Sequence, residues 1–220
     1  MERVTITTDD GLRLQGEVRL PDGRTADAAA VICHPHPLHG GSKDHPLLWA
    51  VRAELVNRGF AVVSFNFRGV MGSEGSHDHG IGELADARAA IGLADRRVPG
   101  PVLLFGWSFG ANVALREAVT DERVGGLALV GMPLAADRLP DLPDLPSGPA
   151  LAGYLRPVLL LSGDRDRFSP AGELRILGRK LPDAVVEIVR GADHFFSRRE
   201  REAAAIVASF ARERVAAKPA

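Results

Sequence analysis

Residues 102–118 constrain the fold more than any other part of the chain. An apolar run, Val102-Leu103-Leu104-Phe105, leads into Gly106-Trp107-Ser108-Phe109-Gly110. A helix-compatible run, Ala111-Asn112-Val113-Ala114-Leu115-Arg116-Glu117-Ala118, follows at once. No residues remain for a loop. A strand must become a helix within the motif itself, which strains the central position and asks for glycine on either side. Such a turn leaves the Ser108 hydroxyl exposed at the strand end. The helix behind it points free N–H groups and its positive end at the same spot. A hydroxyl held there can attack an acyl carbon. The alternative is a Gly-rich turn with an incidental serine, and the rest of the chain decides between them.

The surrounding pattern predicts a layered α/β fold. Residues 3–8 and 12–20 read as two short strands around the turn Asp9-Asp10-Gly11. Apolar runs at 28–33, 61–67, 101–105, 124–130, 158–161 and 184–189 read as buried strands. Helical spacing spans Leu47–Arg58, closed by Gly59, then Glu83–Arg96, and a last helix runs from about Arg198 to Arg214. Continuous apolar strands alternating with amphipathic helices imply a mostly parallel sheet covered on both faces. Sites in such sheets form at the carboxyl ends of the strands. At 220 residues the chain suits one domain spanning 1–220. Residues 133–156 break the rhythm: Pro140, Pro143 and Pro146 argue against a regular helix there. This segment reads as an irregular connection, and the other reading is a small rim over the site.

Charge and composition exclude several classes. The formal net charge of -1 gives no electrostatic case for nucleic acid or an anionic membrane. No apolar run approaches the ~20 residues of a membrane span, and the N-terminus carries no apolar signal core. A cytoplasmic location is the expectation. Cys33 is the one cysteine, so no intrachain disulfide forms, and it reads as a buried strand residue rather than a catalytic thiol.

Three further segments end strands of the same predicted sheet. They are His34-Pro35-His36-Pro37-Leu38-His39-Gly40-Gly41, Gly163-Asp164-Arg165-Asp166 and Gly191-Ala192-Asp193-His194-Phe195-Phe196. Ser108, then Asp164 or Asp166, then His194 is the chain order that accompanies this type of turn. The chemistry needs each of them. A serine hydroxyl is a weak nucleophile until a base takes its proton. An imidazole ordinarily titrates near neutrality and can take and return that proton. A carboxylate fixes the imidazole tautomer and stabilises its cation. The oxyanion formed on attack needs donors: the backbone N–H of Phe109 and one from the loop after strand 28–33, assigned to His36. His39, Trp107 and Phe195 are the candidate pocket residues.

These motifs together resemble the α/β-hydrolase superfamily, and within it the small lidless hydrolases related to dienelactone hydrolase. The subgroup resembled carries an H-P-H-P-x-x-G-G loop, here His34 to Gly41. Asn66 to Gly75 is similar to the N-x-R-G-x-G-x-S-x-G stretch of many such enzymes, with Met71 before the second glycine. The resemblance runs over nearly the whole chain. It implies an α/β-hydrolase fold with N-terminal antiparallel strands, minimal or no lid, and no cofactor. It places the acid at the last position of G-x-x-D, which is Asp166. Dienelactone hydrolase itself carries Cys where this chain has Ser108, so its lactone chemistry does not transfer.

Other polar residues receive quieter readings. The spacing of His34, His36 and His39 is that of a binuclear zinc loop, but Leu38 stands where that loop has Asp, and no metal is expected. His77, Asp78 and His79 read as a solvated loop, and His45 as surface at a helix start. Arg68, Glu83 and Asp86 read as a buried structural ion pair, and Asp193 is expected to point away from the site. The expected function is cleavage of a small-molecule carboxylic ester or thioester through an acyl-enzyme on Ser108. A peptidase or amidase, an acyl-transfer or cyclisation enzyme, and a non-catalytic binding protein are the alternatives. Neither a nucleic-acid nor a membrane partner is expected, and a homodimer stays open.

Overall fold

The computed structural model describes residues 1–23, 25–135 and 142–216. Its elements run β1 (Glu2–Thr7), β2 (Arg13–Arg19), β3 (Ala28–Cys33), α1 (Pro46–Asn57), β4 (Phe60–Phe65), α2 (Gly82–Arg97) and β5 (Val102–Trp107). They continue with α3 (Phe109–Ala118), β6 (Val124–Val130), α4 (Gly148–Gly153), β7 (Val158–Gly163), α5 (Ala171–Gly178), β8 (Ala184–Val189) and α6 (Glu200–Phe210). A π-helical turn, Ala211–Val215, extends α6. The eight strands form one sheet in the order β1-β2-β4-β3-β5-β6-β7-β8. β1 pairs antiparallel with β2, and β2 antiparallel with β4. All other pairs are parallel. This is the α/β-hydrolase fold.

Side-chain alternation divides the core into two layers. On β5, Leu103, Phe105 and Trp107 face α1 and α6, packing with Leu48, Val51, Ala204 and Val207. Val102 and Leu104 face the other way, into the layer built with Ala87 and Ile91 of α2 and Val113 of α3. β3 and β4 are fully buried along their length, which explains their unbroken apolar sequence. Each Leu or Phe so buried contributes roughly 1.5–3 kcal/mol by leaving water. The sheet is therefore a rigid platform, and the loops at its carboxyl edge inherit that rigidity.

Departures from the sequence pattern are local. The strand expected at 61–67 ends at Phe65 because Asn66 turns aside. Its side chain accepts from the Lys43 amide at 2.9 Å and donates to Gln15 at 2.8 Å. The strand expected at 101–105 continues through Trp107, so it runs directly into the serine. The last α-helix is shorter than expected and relaxes into the π-turn. Within 133–156, Ser147 caps a six-residue helix with Pro149 in its first turn, a position where proline costs no hydrogen bond. Leu142, Leu151 and Tyr154 of this connection pack onto the α2/α3 layer. Pro140 and Asp141 lie outside the described residues. Among the described residues no helix is long and apolar enough to cross a membrane.

Candidate active site

Ser108 occupies the junction of β5 and α3 with φ 55° and ψ −118°. A non-glycine residue in that region carries strain, which the neighbours must enforce. They do so by close approach. A Cβ on Gly106 would collide with the Gly110 carbonyl, and one on Gly110 with the Cys33 and His34 carbonyls. Both glycines of the motif are thus required by space. The Ser108 amide donates to Val130 O on β6 at 2.9 Å, tying the turn to the sheet. Phe109 N–H is the first amide of α3 and has no partner within the helix.

His194 reaches Ser108 from the loop after β8. Its Nε2 lies 3.0 Å from Ser108 Oγ, and its Nδ1 lies 2.9 Å from Asp166 Oδ2. Asp166 stands on the turn after β7. Its Oδ1 accepts from the Phe168 and Ser169 amides at 2.9 and 3.0 Å, so the carboxylate is held from behind while Oδ2 faces the imidazole. Asp164 takes a different role: it accepts from the Gly191 amide at 2.6 Å, bracing the start of the histidine loop. Asp193 accepts from the Phe195 and Ser197 amides and points away from the site. The three aligned side chains are nearly buried, Ser108 at 7%, Asp166 at 5% and His194 at 8% exposure, yet Ser108 opens into a cleft.

The loop after β3 forms the opposite wall. His36 begins a single 3-10 turn, Pro37–His39; its Nδ1 accepts from the Leu38 amide, and its carbonyl from the His39 and Gly41 amides. Its ring lies 5.1 Å from that of Phe109, which brings this loop beside the first turn of α3. His34 serves the scaffold instead. Its Nδ1 donates to Pro35 O, and its Nε2 accepts from the Phe67 amide at 2.9 Å. Burial pushes its pKa down to about 4, so the ring is neutral. The three histidines of this loop do not converge. Among the described residues no group of three or more His, Cys, Asp or Glu is arranged to hold a metal ion. Cys33 is fully buried, and desolvation pushes its thiol far above the ordinary range.

The cleft above Ser108 has a volume of about 340 Å³. His39, Trp107 and Phe195, the candidate pocket residues, lie along it together with His36. His45, Pro133 and Phe168 line it as well. His45 sits at a helix start, as expected, but is half-buried rather than solvated. It caps α1 by accepting from the Leu47 amide, and its ring sits 4.4 Å from that of Trp107. Burial lowers its pKa, favouring the neutral ring. The His-Pro pair at 45–46 signals the cap, but nothing local announces the contact with Trp107. Phe168 follows the acid directly, and its ring lies 4.7 Å from that of His194.

Two further readings need correction. His77 is not solvated: its ring packs 4.9 Å from His36 and 5.3 Å from Phe109, and its Nδ1 lies 2.7 Å from Glu83 Oε1. Glu83 is fully buried and needs donors, which His77 and the Asp78 and Gly80 amides supply. Glu83 therefore stands outside the ion pair that Arg68 forms with Asp86 at 2.7 Å and extends to Asp10 at 3.0 Å.

The alpha/beta hydrolase domain family matches residues 27–217. The chain belongs to that family and is a hydrolase by class. It is 30% identical over 195 residues to the uncharacterized protein RP471 of Rickettsia prowazekii, spanning 82% of this chain and 79% of that one. Its structure is similar to an alpha-beta serine hydrolase homologue from Coxiella burnetii, with TM-score 0.82, 28% identity, and 94% and 96% of the two chains covered. It is equally similar to XC6422 from Xanthomonas campestris, a serine hydrolase without a lid, with TM-score 0.81, 27% identity, and 99% and 96% coverage.

Proposed function

We propose that this protein is a serine hydrolase that cleaves a small carboxylic ester or thioester through an acyl-enzyme on Ser108. One observation carries the reading. The strained Ser108 hydroxyl, the His194 imidazole and the Asp166 carboxylate form a continuous hydrogen-bonded chain, at 3.0 and 2.9 Å, that opens on a cleft. In this reading His194 Nε2 accepts the hydroxyl proton as Ser108 Oγ bonds to the acyl carbon. Asp166 holds the Nδ1–H tautomer and stabilises the imidazolium. The tetrahedral oxyanion is received by the backbone N–H groups of Phe109 and His36. Collapse expels the alcohol or thiol, which takes the proton from His194. Water then attacks the acyl-enzyme; His194 accepts its proton and returns one to Ser108. The steps close on these residues and water.

The test is Ser108→Ala, assayed with 4-nitrophenyl acetate. Loss of roughly 10³-fold or more in kcat/KM with an unchanged circular dichroism spectrum is expected, because members of such a chain act as a unit. Activity retained within tenfold would remove Ser108 from the mechanism.

A further inference from the structure

The cleft over Ser108 is walled in an unusual way. Apart from prolines, none of the lining side chains among the described residues is aliphatic, and among them no lysine, arginine, aspartate or glutamate lines it. Its surface comes from rings, prolines, glycines and Ser108. A saturated acyl chain meets no Leu, Ile, Val or Met side chain among the described lining residues and is buried instead against rings and prolines.

The rings are supplied by separate loops that converge on this cleft. On one side Trp107 of the elbow packs against His45 at the cap of α1, with centroids 4.4 Å apart. Phe195, from the histidine loop, stands nearly perpendicular to Trp107 at 6.1 Å and 84°. Towards the acid, Phe168 lies 4.7 Å from the ring of His194. On the loop after β3, His36 and His39 meet at 4.6 Å and 68°. Edge and face arrangements of this kind present both the negative faces and the positive edges of rings to whatever enters. Burial lowers the His45 pKa, which favours the neutral ring. Trp107 is almost wholly buried and fixed, whereas Phe195 and Phe168 are about half exposed, at 53% and 45%, at the mouth.

We propose that this ring-walled cleft selects esters carrying a flat aromatic ring, on the acyl or the alcohol side, over saturated skeletons of the same size. The inference rests on Ser108 being the nucleophile that the cleft serves. The physical discriminant is clear. A cyclohexyl group is the more hydrophobic partner, so burial of area alone favours it. A preference for phenyl therefore reports ring recognition, through quadrupole complementarity and a flat outline.

Two ester pairs with a CH₂ between ring and ester narrow the difference in intrinsic reactivity, and dividing each kcat/KM by that ester's own rate of hydroxide-catalysed hydrolysis removes the rest, so every kcat/KM ratio below is the corrected one. The first is 4-nitrophenyl phenylacetate against 4-nitrophenyl cyclohexylacetate, for the acyl side. The second is benzyl acetate against cyclohexylmethyl acetate, for the alcohol side. The wild-type protein is expected to favour the aromatic member at least fivefold in kcat/KM in at least one pair. A smaller preference in both pairs, or no turnover of either aromatic ester, overturns the proposal. Phe195→Leu, at a half-exposed position that tolerates change, is expected to shrink the winning ratio threefold or more; a smaller effect overturns the role of the rings. Binding separates this inference from the nucleophile reading. Ser108→Ala protein titrated with phenylacetamide and cyclohexylacetamide is expected to bind the phenyl compound at least threefold more tightly, whatever becomes of the nucleophile. A smaller difference overturns the proposal independently of catalysis.

Discussion

The indole Nε1–H of Trp107 donates to the backbone carbonyl of His194 at 3.2 Å. The residue before the serine thus holds the loop that carries the serine's hydrogen-bond partner. Elbow and histidine loop come from distant parts of the chain, and this bond sets their spacing inside a buried layer. Trp107→Phe keeps a ring but leaves the His194 carbonyl without this donor. A buried hydrogen bond of this kind is worth about 1 kcal/mol, so kcat is expected to fall roughly fivefold. Steady-state kinetics with 4-nitrophenyl acetate measure it, and an unchanged kcat would deny Trp107 its positioning role.

The two carboxylates after β7 are expected to part sharply under the same substitution. Asp166→Asn leaves shape intact but disturbs the His194 tautomer, and should lower kcat by about 10³- to 10⁴-fold. Asp164→Asn retains an acceptor for the Gly191 amide and should stay within about threefold, since one neutral hydrogen bond contributes about 1 kcal/mol or less. A larger loss from Asp164→Asn than from Asp166→Asn would reverse the assignment.

His34 links the scaffold to pH. Its pKa is depressed from 6.5 to about 4 by burial, and its Nε2 must stay unprotonated to accept from Phe67 N–H. The unfolded chain binds the extra proton first. Stability is therefore full above pH 6.5 and is lost as pH falls from there towards 4. The His34 contribution between pH 7.5 and pH 5 is about 2 kcal/mol. Urea denaturation at the two pH values measures the total fall, and NMR titration of the His34 ring isolates its share. A ring that protonates near pH 6.5 in the folded protein would contradict this account.

Acyl length should be limited by the cleft. Each methylene contributes ~0.8 kcal/mol only if it is buried. The cleft holds about 340 Å³, and the described part of the β6–β7 connection packs largely on the α2/α3 layer. Among linear 4-nitrophenyl esters, kcat/KM is expected to peak at acyl lengths of about two to six carbons, where burial ends. Values still rising beyond a chain of about twelve carbons would show an apolar surface that the cleft does not provide.

Much of this architecture is legible in the chain because its signals are local. Ala28 to Cys33 reads as a central strand because both its faces are buried. The elbow reads as one because Gly106 and Gly110 sit where no Cβ fits. Asp164 and Asp166 are not separable by strand position alone; the turn geometry, with two amides behind Asp166, decides. His45 and His77 escape a sequence reading for another reason. Their surroundings, Trp107 for one and Glu83 with Phe109 for the other, are set by tertiary packing, which short-range polarity does not encode. Glu83 likewise reads as a partner for Arg68 until its buried carboxylate is seen collecting donors from its own loop.

The central claim is that His194 activates Ser108 as a nucleophile, and covalent trapping tests it most directly. The protein is incubated with an alkyl fluorophosphonate and examined by intact mass and peptide mapping. One phosphonyl adduct on Ser108 is predicted, absent in Ser108→Ala and formed at least ~10²-fold more slowly in His194→Ala, where the base is gone. No adduct on the folded wild-type protein, an adduct on another residue, or labelling of Ser108 at an unchanged rate in His194→Ala would contradict the account.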